Sequence, residues 1–93
     1  MPADSLRDDV KPIRLEYDPQ VDALAIDFHG AEAGASARMV RLDRDRVLDY
    51  DATGRLISIE LLNVSHGVDL QGLPEADVVR QALELLAVQP SAA

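Results

Sequence analysis

From Ile13 to Tyr17 the chain alternates apolar residues (Ile13, Leu15, Tyr17) with charged ones (Arg14, Glu16), the period-2 pattern of a strand with one buried face. The segment Asp18-Pro19-Gln20-Val21-Asp22 follows with turn chemistry, Pro19 presetting φ and the Asp side chains bonding nearby backbone N–H groups. A second strand over 23–29 sends Leu24, Ile26 and Phe28 to one face, and Ala23, Ala25, Asp27 and His29 to the other. A third, over 37–42, points Val40 and Leu42 inward. After a tight turn at 43–46, a fourth over 47–51 places Leu48 and Tyr50 on one face. Asp51-Ala52-Thr53-Gly54 makes the next reversal, with Gly where a positive φ is needed. The fifth and longest strand, over 55–64, carries Ile57, Ile59 and Leu61 on one face and Leu56, Leu62 and Val64 on the other, so it reads as apolar on both sides.

The period then changes. Pro74 suits the first turn of a helix, Glu75 and Asp77 favour its positive end, and Val79, Ala82, Leu83 and Leu86 recur at helical spacing, leaving Arg80, Gln81 and Glu84 to solvent. Pro90 marks the end, which predicts a helix over 74–88. Residues 1–11 read as a flexible arm, 12–88 as a single α+β domain and 89–93 as a flexible C-terminus, with Gly30–Ser36 (GAEAGAS) the mobile loop. The fold predicted is an antiparallel β-meander of four to five strands followed by one C-terminal amphipathic helix packed on one face. Short connections favour an up-and-down order of neighbouring strands.

Five strands about 4.8 Å apart make a sheet roughly 20 Å across, whereas one helix with its side chains is about 10 to 12 Å wide. One helix therefore leaves part of the sheet uncovered, which predicts a homodimer through the sheet or its edge, or another partner that covers the remainder.

Composition narrows the function. The chain has 93 residues, 47% of them hydrophobic, and its aromatics are Tyr17, Phe28 and Tyr50, so the core is aliphatic. Seventeen acidic against nine basic residues give a net charge of -8, which disfavours nucleic acid and anionic membrane and suits a basic protein partner. With no cysteine there is neither a disulfide framework nor a thiolate site, and no apolar run has the length of a membrane span or the form of a leader. The address expected is cytoplasmic.

Candidate chemistry is sparse. Asp49, Asp51, Thr53 and Gly54, followed by Glu60, fit a relaxed calcium-loop template, yet such a loop needs flanking helices and these flanks have a strand period. A β-turn is the simpler reading, with a small metal- or ligand-binding domain using the Asp49/Asp51/Glu60 hairpin as the alternative. His29 and His66 lack ligand or triad company, and the adjacent side chains of Ser65, His66 and Asp69 cannot aim at one another as a triad requires. Asp18, Asp22, Asp27, Asp49 and Asp51 read as turn formers and a solvated face. Arg38, Arg41, Arg44 and Arg46, interleaved with Asp43 and Asp45, read as an exposed hairpin with cross-strand ion pairs and no aromatic for base stacking. No catalytic, cofactor-binding or metal residue is assigned, no cofactor is expected, and an enzyme is not the expected reading.

The strings Leu15-Glu16-Tyr17-Asp18-Pro19-Gln20-Val21-Asp22-Ala23-Leu24-Ala25-Ile26 and Val47-Leu48-Asp49-Tyr50-Asp51-Ala52-Thr53-Gly54-Arg55-Leu56-Ile57-Ser58-Ile59-Glu60-Leu61-Leu62 resemble the YuzE-like bacterial proteins, also called domain of unknown function 2283. The resemblance covers roughly residues 13 to 65 and departs at Arg44-Asp45, where Gly is more typical. It implies a compact bacterial cytosolic protein without an established activity or catalytic residues to carry over. Genes for such proteins are reported beside small toxin-like genes, which implies an antitoxin-like, partner-neutralising role as one hypothesis.

Overall fold

Leu56–Leu62 has the most apolar strand sequence in the chain, and it takes the centre of the sheet. A computed structural model, which describes residues 13–28 and 36–86, contains β1 (Arg14–Asp18), β2 (Ala23–Asp27), β3 (Arg38–Asp43), β4 (Arg46–Tyr50) and β5 (Leu56–Leu62). A 3-10 turn (Val64–His66) and a helix, α1 (Ala76–Leu85), follow. The α+β class and the antiparallel sheet with one C-terminal helix are as expected. The strand order is not: it runs β1-β2-β5-β4-β3, so the up-and-down order is interrupted where β5 inserts between β2 and β4. The physical reason lies in β5 and β3. A strand with three buried apolar residues needs partners on both edges, whereas β3 (RMVRLD) is exposed at every position except Val40 and tolerates the rim.

β2 pairs with β5 through Leu24↔Leu61 and Ile26↔Ile59, and β4 with β5 through Leu48↔Ile59, which aligns their apolar residues on one face. Onto that face pack Val64, Val68 and Leu73 from the segment after β5, and Val79, Ala82 and Leu83 from α1, forming one contiguous core. Arg80, Gln81 and Glu84 lie exposed, as the helical period predicts, and Leu86 is half-buried against the core.

Of Leu56, Leu62 and Val64, the residues expected on the second face of β5, only Leu62 lies there, half-buried opposite Ala23. A register shift between Asp49↔Ser58 and Tyr50↔Leu56 leaves Ile57 extra, a β-bulge that turns Leu56 to the helix side, where it packs against the core. The strand also stops at Leu62, because Asn63 adopts a left-handed φ of 55°, and Val64 enters the 3-10 turn fully buried in the core. The second face of the sheet carries Ser58 and Glu60 beside Ala25 and Asp27, with Val47 buried among the Arg41 and Glu60 positions it pairs with. α1 begins at Ala76 and not at Pro74, since Glu75 holds φ 55° and its carbonyl accepts the first helical bond, from Val79 N–H. The predicted arm 1–11, the GAEAGAS loop up to Ala35, and 87–93 lie outside the described residues.

Leu24 is fully buried between β1 and β5. Leu24→Ala is expected to destabilise the chain by about 2 to 5 kcal/mol in urea unfolding. Leu85→Ala, at a side chain 77% exposed, is expected to shift stability by less than about 0.5 kcal/mol.

Candidate functional site

The β4–β5 hairpin holds the residues that fit a cation loop. Asp51 is buried, and its carboxylate accepts from Thr53 N–H (2.9 Å), Thr53 Oγ1–H (2.6 Å), Arg55 N–H (3.0 Å) and Arg55 Nε–H (3.3 Å). Gly54 closes the turn at φ 88°, its N–H donating to the Asp51 carbonyl at 3.0 Å. The Thr53 hydroxyl, followed by the Arg55 amide, holds the Asp51 carboxyl down at about 2. Asp49 accepts from the Ser36 hydroxyl and sits opposite Ser58, while Glu60 is exposed opposite Val47. Asp49, Asp51 and Glu60 are therefore not gathered on one point. Among the described residues, no three His, Cys, Asp or Glu side chains are placed to hold a metal ion.

At one end of the sheet the β3–β4 turn meets the segment after β5, and a pocket of about 120 Å³ opens between them. Asp43, Asp45, Arg46, His66 and Asp69 contribute its polar wall. Ligand sites usually measure about 300 to 1,000 Å³, so this one has room for no more than a few waters. Asp43, Asp45, Arg46 and Asp69 already have partners. Arg46 donates Nη1–H to the carbonyls of Asp69 (3.0 Å) and Gln71, and forms an ion pair with Asp43 at 2.8 Å. That side-chain bond to Arg46 is the main cause of the lowered Asp43 pKa. Asp45 accepts from Asn63 Nδ2–H at 2.8 Å, and Asp69 from Gln71 N–H at 2.9 Å. Arg46 thus staples the 69–71 segment to the β3–β4 turn.

A third cluster joins the β1–β2 turn to the 3-10 turn. Asp22, at φ 54°, accepts from Ser65 N–H (3.1 Å), Ser65 Oγ–H (2.7 Å) and Tyr17 Oη–H (2.8 Å). The Ser65 hydroxyl is the first cause of the lowered Asp22 pKa, and the same hydrogen bond from Tyr17 raises the phenol's own pKa. Ser65 therefore points at Asp22, so Ser65, His66 and Asp69 form no triad. The Asp22 link spans 43 positions in sequence, and no local pattern announces it. Asp18 is the turn former its sequence predicts, accepting from Gln20 N–H at 3.0 Å. His29 lies outside the described residues.

The arginines of the β3–β4 hairpin divide between roles. Arg41 donates to the carbonyls of Asp43 (3.3 Å) and Arg44 (3.0 Å), capping its own turn. Arg38 lies 5.0 Å from the Tyr50 ring centre, so an aromatic does stand near this cluster, brought there by cross-strand pairing. Among the described residues no helix is long and apolar enough to cross a membrane.

A family model described as Protein of unknown function (DUF2283) matches residues 14–65, more than half of the chain, and the chain belongs to that family. No curated protein and no solved structure matches it significantly.

Two predictions follow from these clusters. Because the folded carboxyl of Asp51 lies at about 2 against an ordinary 3.8, its contribution is fully present above pH 3.8 and is lost as pH falls through about 2. Asp51→Asn is accordingly expected to lower the urea midpoint at pH 7, with the difference from wild type closing between those two pH values. Arg46→Met, which removes the charged donor to two carbonyls, is expected to lower stability by about 2 kcal/mol. Hydrogen exchange of the 69–73 amides should quicken more than that of β2.

Proposed function

We propose that this member of the DUF2283 family is a non-enzymatic protein-interaction module that acts as a homodimer. The observation that carries this reading is that, among the described residues, the cover on the helix side of the sheet is incomplete. The core formed by α1 and the 64–73 segment lies over β2, β5 and β4, while the two rim strands retain Ile13 (42% exposed), Tyr17 (37%) and Leu42 (38%). Meanwhile Asp22, Asp43, Asp51 and Arg46 are engaged in holding turns and loops together, leaving little polar chemistry available for a small substrate. A charge of -8 favours a second reading alongside the first, in which the dimer binds a basic protein in an antitoxin-like role.

Light scattering at micromolar concentration is expected to return twice the 10.1 kDa chain mass. A mass of one chain would count against self-association. Millimolar calcium is expected to leave the melting temperature unchanged, and a rise abolished by Asp51→Ala would instead favour the ligand-binding hairpin.

A further inference from the structure

The two rims of the sheet are not equivalent. β3 carries a bulge at Leu42, where the register passes from Arg41↔Val47 to Asp43↔Arg46, and Arg41 folds onto the carbonyls of its own turn. Bulges and charged side chains are devices that keep an edge from pairing. β1 pairs with β2 without a register shift, and among the described residues no segment pairs with its outer edge.

The backbone direction along β1 can be traced through the sheet. Phe28 N–H donates to the Ile57 carbonyl at 2.9 Å, so Phe28 faces β5. Alternate residues of a strand direct their backbone groups to opposite edges. Leu24 and Ile26 therefore also face β5, while Ala23, Ala25 and Asp27 face β1. Their partners are Asp18, Glu16 and Arg14, which leaves Ile13, Leu15 and Tyr17 with N–H and C=O groups directed outward. These same residues form the partly covered apolar stripe on the helix side.

From this edge the geometry points to a specific partner and register: a second copy of this chain, with β1 pairing antiparallel to β1 across a two-fold axis at Leu15. This deepens the self-association reading and rests on it. In the dimer Leu15 lies opposite the partner's Leu15, and Ile13 opposite the partner's Tyr17, each pair exchanging backbone hydrogen bonds. On the other face Arg14 lies opposite the partner's Glu16, twice by symmetry. Opposite charges placed directly across strands stabilise a sheet and like charges destabilise it. That selects the register. Moving the axis to Glu16 sets two glutamates face to face and, although it brings Arg14 opposite the partner's Asp18, it places Ile13 opposite the partner's Pro19, which has no N–H to donate; moving it to Arg14 sets two arginines face to face, and moving it to Tyr17 sets Glu16 against Asp18. The two-fold puts both helices on the same side of a continuous sheet and joins the two apolar stripes side by side.

Cysteine pairs read this register directly, because the chain has no cysteine of its own. Arg14 and the partner's Glu16 form a non-hydrogen-bonded pair, whose Cα atoms stand about 4.5 Å apart, within disulfide reach. Arg14→Cys chains co-refolded with Glu16→Cys chains and then oxidised are expected to give a disulfide-linked heterodimer, while each variant alone stays unlinked. Glu16→Arg, which opposes the partner's Arg14, is expected to weaken dimerisation at least tenfold with an unchanged circular dichroism spectrum. A wild-type monomer would overturn both this register and the self-association reading. A wild-type dimer in which Glu16→Cys links to itself, or in which the mixed chains do not link, would overturn the register alone.

Discussion

β5 is hydrogen-bonded along both edges, to β2 on one side and β4 on the other, and the rest of the chain is arranged to make that possible. Ile57, Ile59 and Leu61 are its buried residues. Were β5 at a rim, as a simple meander would place it, Ile59 and Leu61 would lose one row of apolar neighbours and water would reach them. With β5 central, the β1–β2 hairpin and the β3–β4 hairpin become its two flanks, and the least apolar strands fall at the rims.

A sheet built this way has one face that carries the main core, and the covering of that face is irregular over most of its length. Ten residues of α1 supply only part of it; the 3-10 turn and the segment to Leu73 supply Val64, Val68 and Leu73. Irregular backbone lying on a core needs fixed polar anchors, because it lacks a ladder of its own. Asp22 holds the start of this segment through Ser65, Asn63 bonds to Asp45, and Arg46 holds the carbonyls of Asp69 and Gln71. Carboxylates that resemble candidate acids, bases or cation ligands are in this way occupied by the fold, and the lowered pKa values of Asp22, Asp43 and Asp51 report those bonds.

How much of this was legible depends on range. Strands β1 and β2 and the Asp51–Gly54 turn follow from period-2 alternation and turn residues, both local signals, and the identification of the Asp49/Asp51/Glu60 string as a hairpin rests on the same alternation. The insertion of β5 between hairpins is a pairing choice between distant segments, and adjacency in sequence is an unreliable guide to it. Strict alternation puts Leu56 on the wrong face because it does not foresee a bulge, and Val64 because Asn63 in the left-handed region ends the strand early. The anchors Asp22–Ser65 and Arg46–Gln71 join residues that share no local motif. Asp and Arg are common surface residues, so nothing in their sequence neighbourhood separates an anchor from a solvated charge.

The matched family segment, residues 14–65, begins with β1 and closes on the 3-10 turn, leaving α1 outside. Yet those strands cannot stand alone, since Leu24, Ile26, Ile59 and Leu61 would face water on one side without Val79, Ala82 and Leu83 above them. The matched segment thus holds the sheet together with the anchor that starts its covering segment, Asp22 to Ser65, while Val68, Leu73 and α1 fall outside it. Any property that follows from the sheet's edges belongs to the part of the chain that the family model describes. The outward-facing edge of β1, with Arg14 and Glu16 of opposite sign on one face and Ile13, Leu15 and Tyr17 on the other, is such a property.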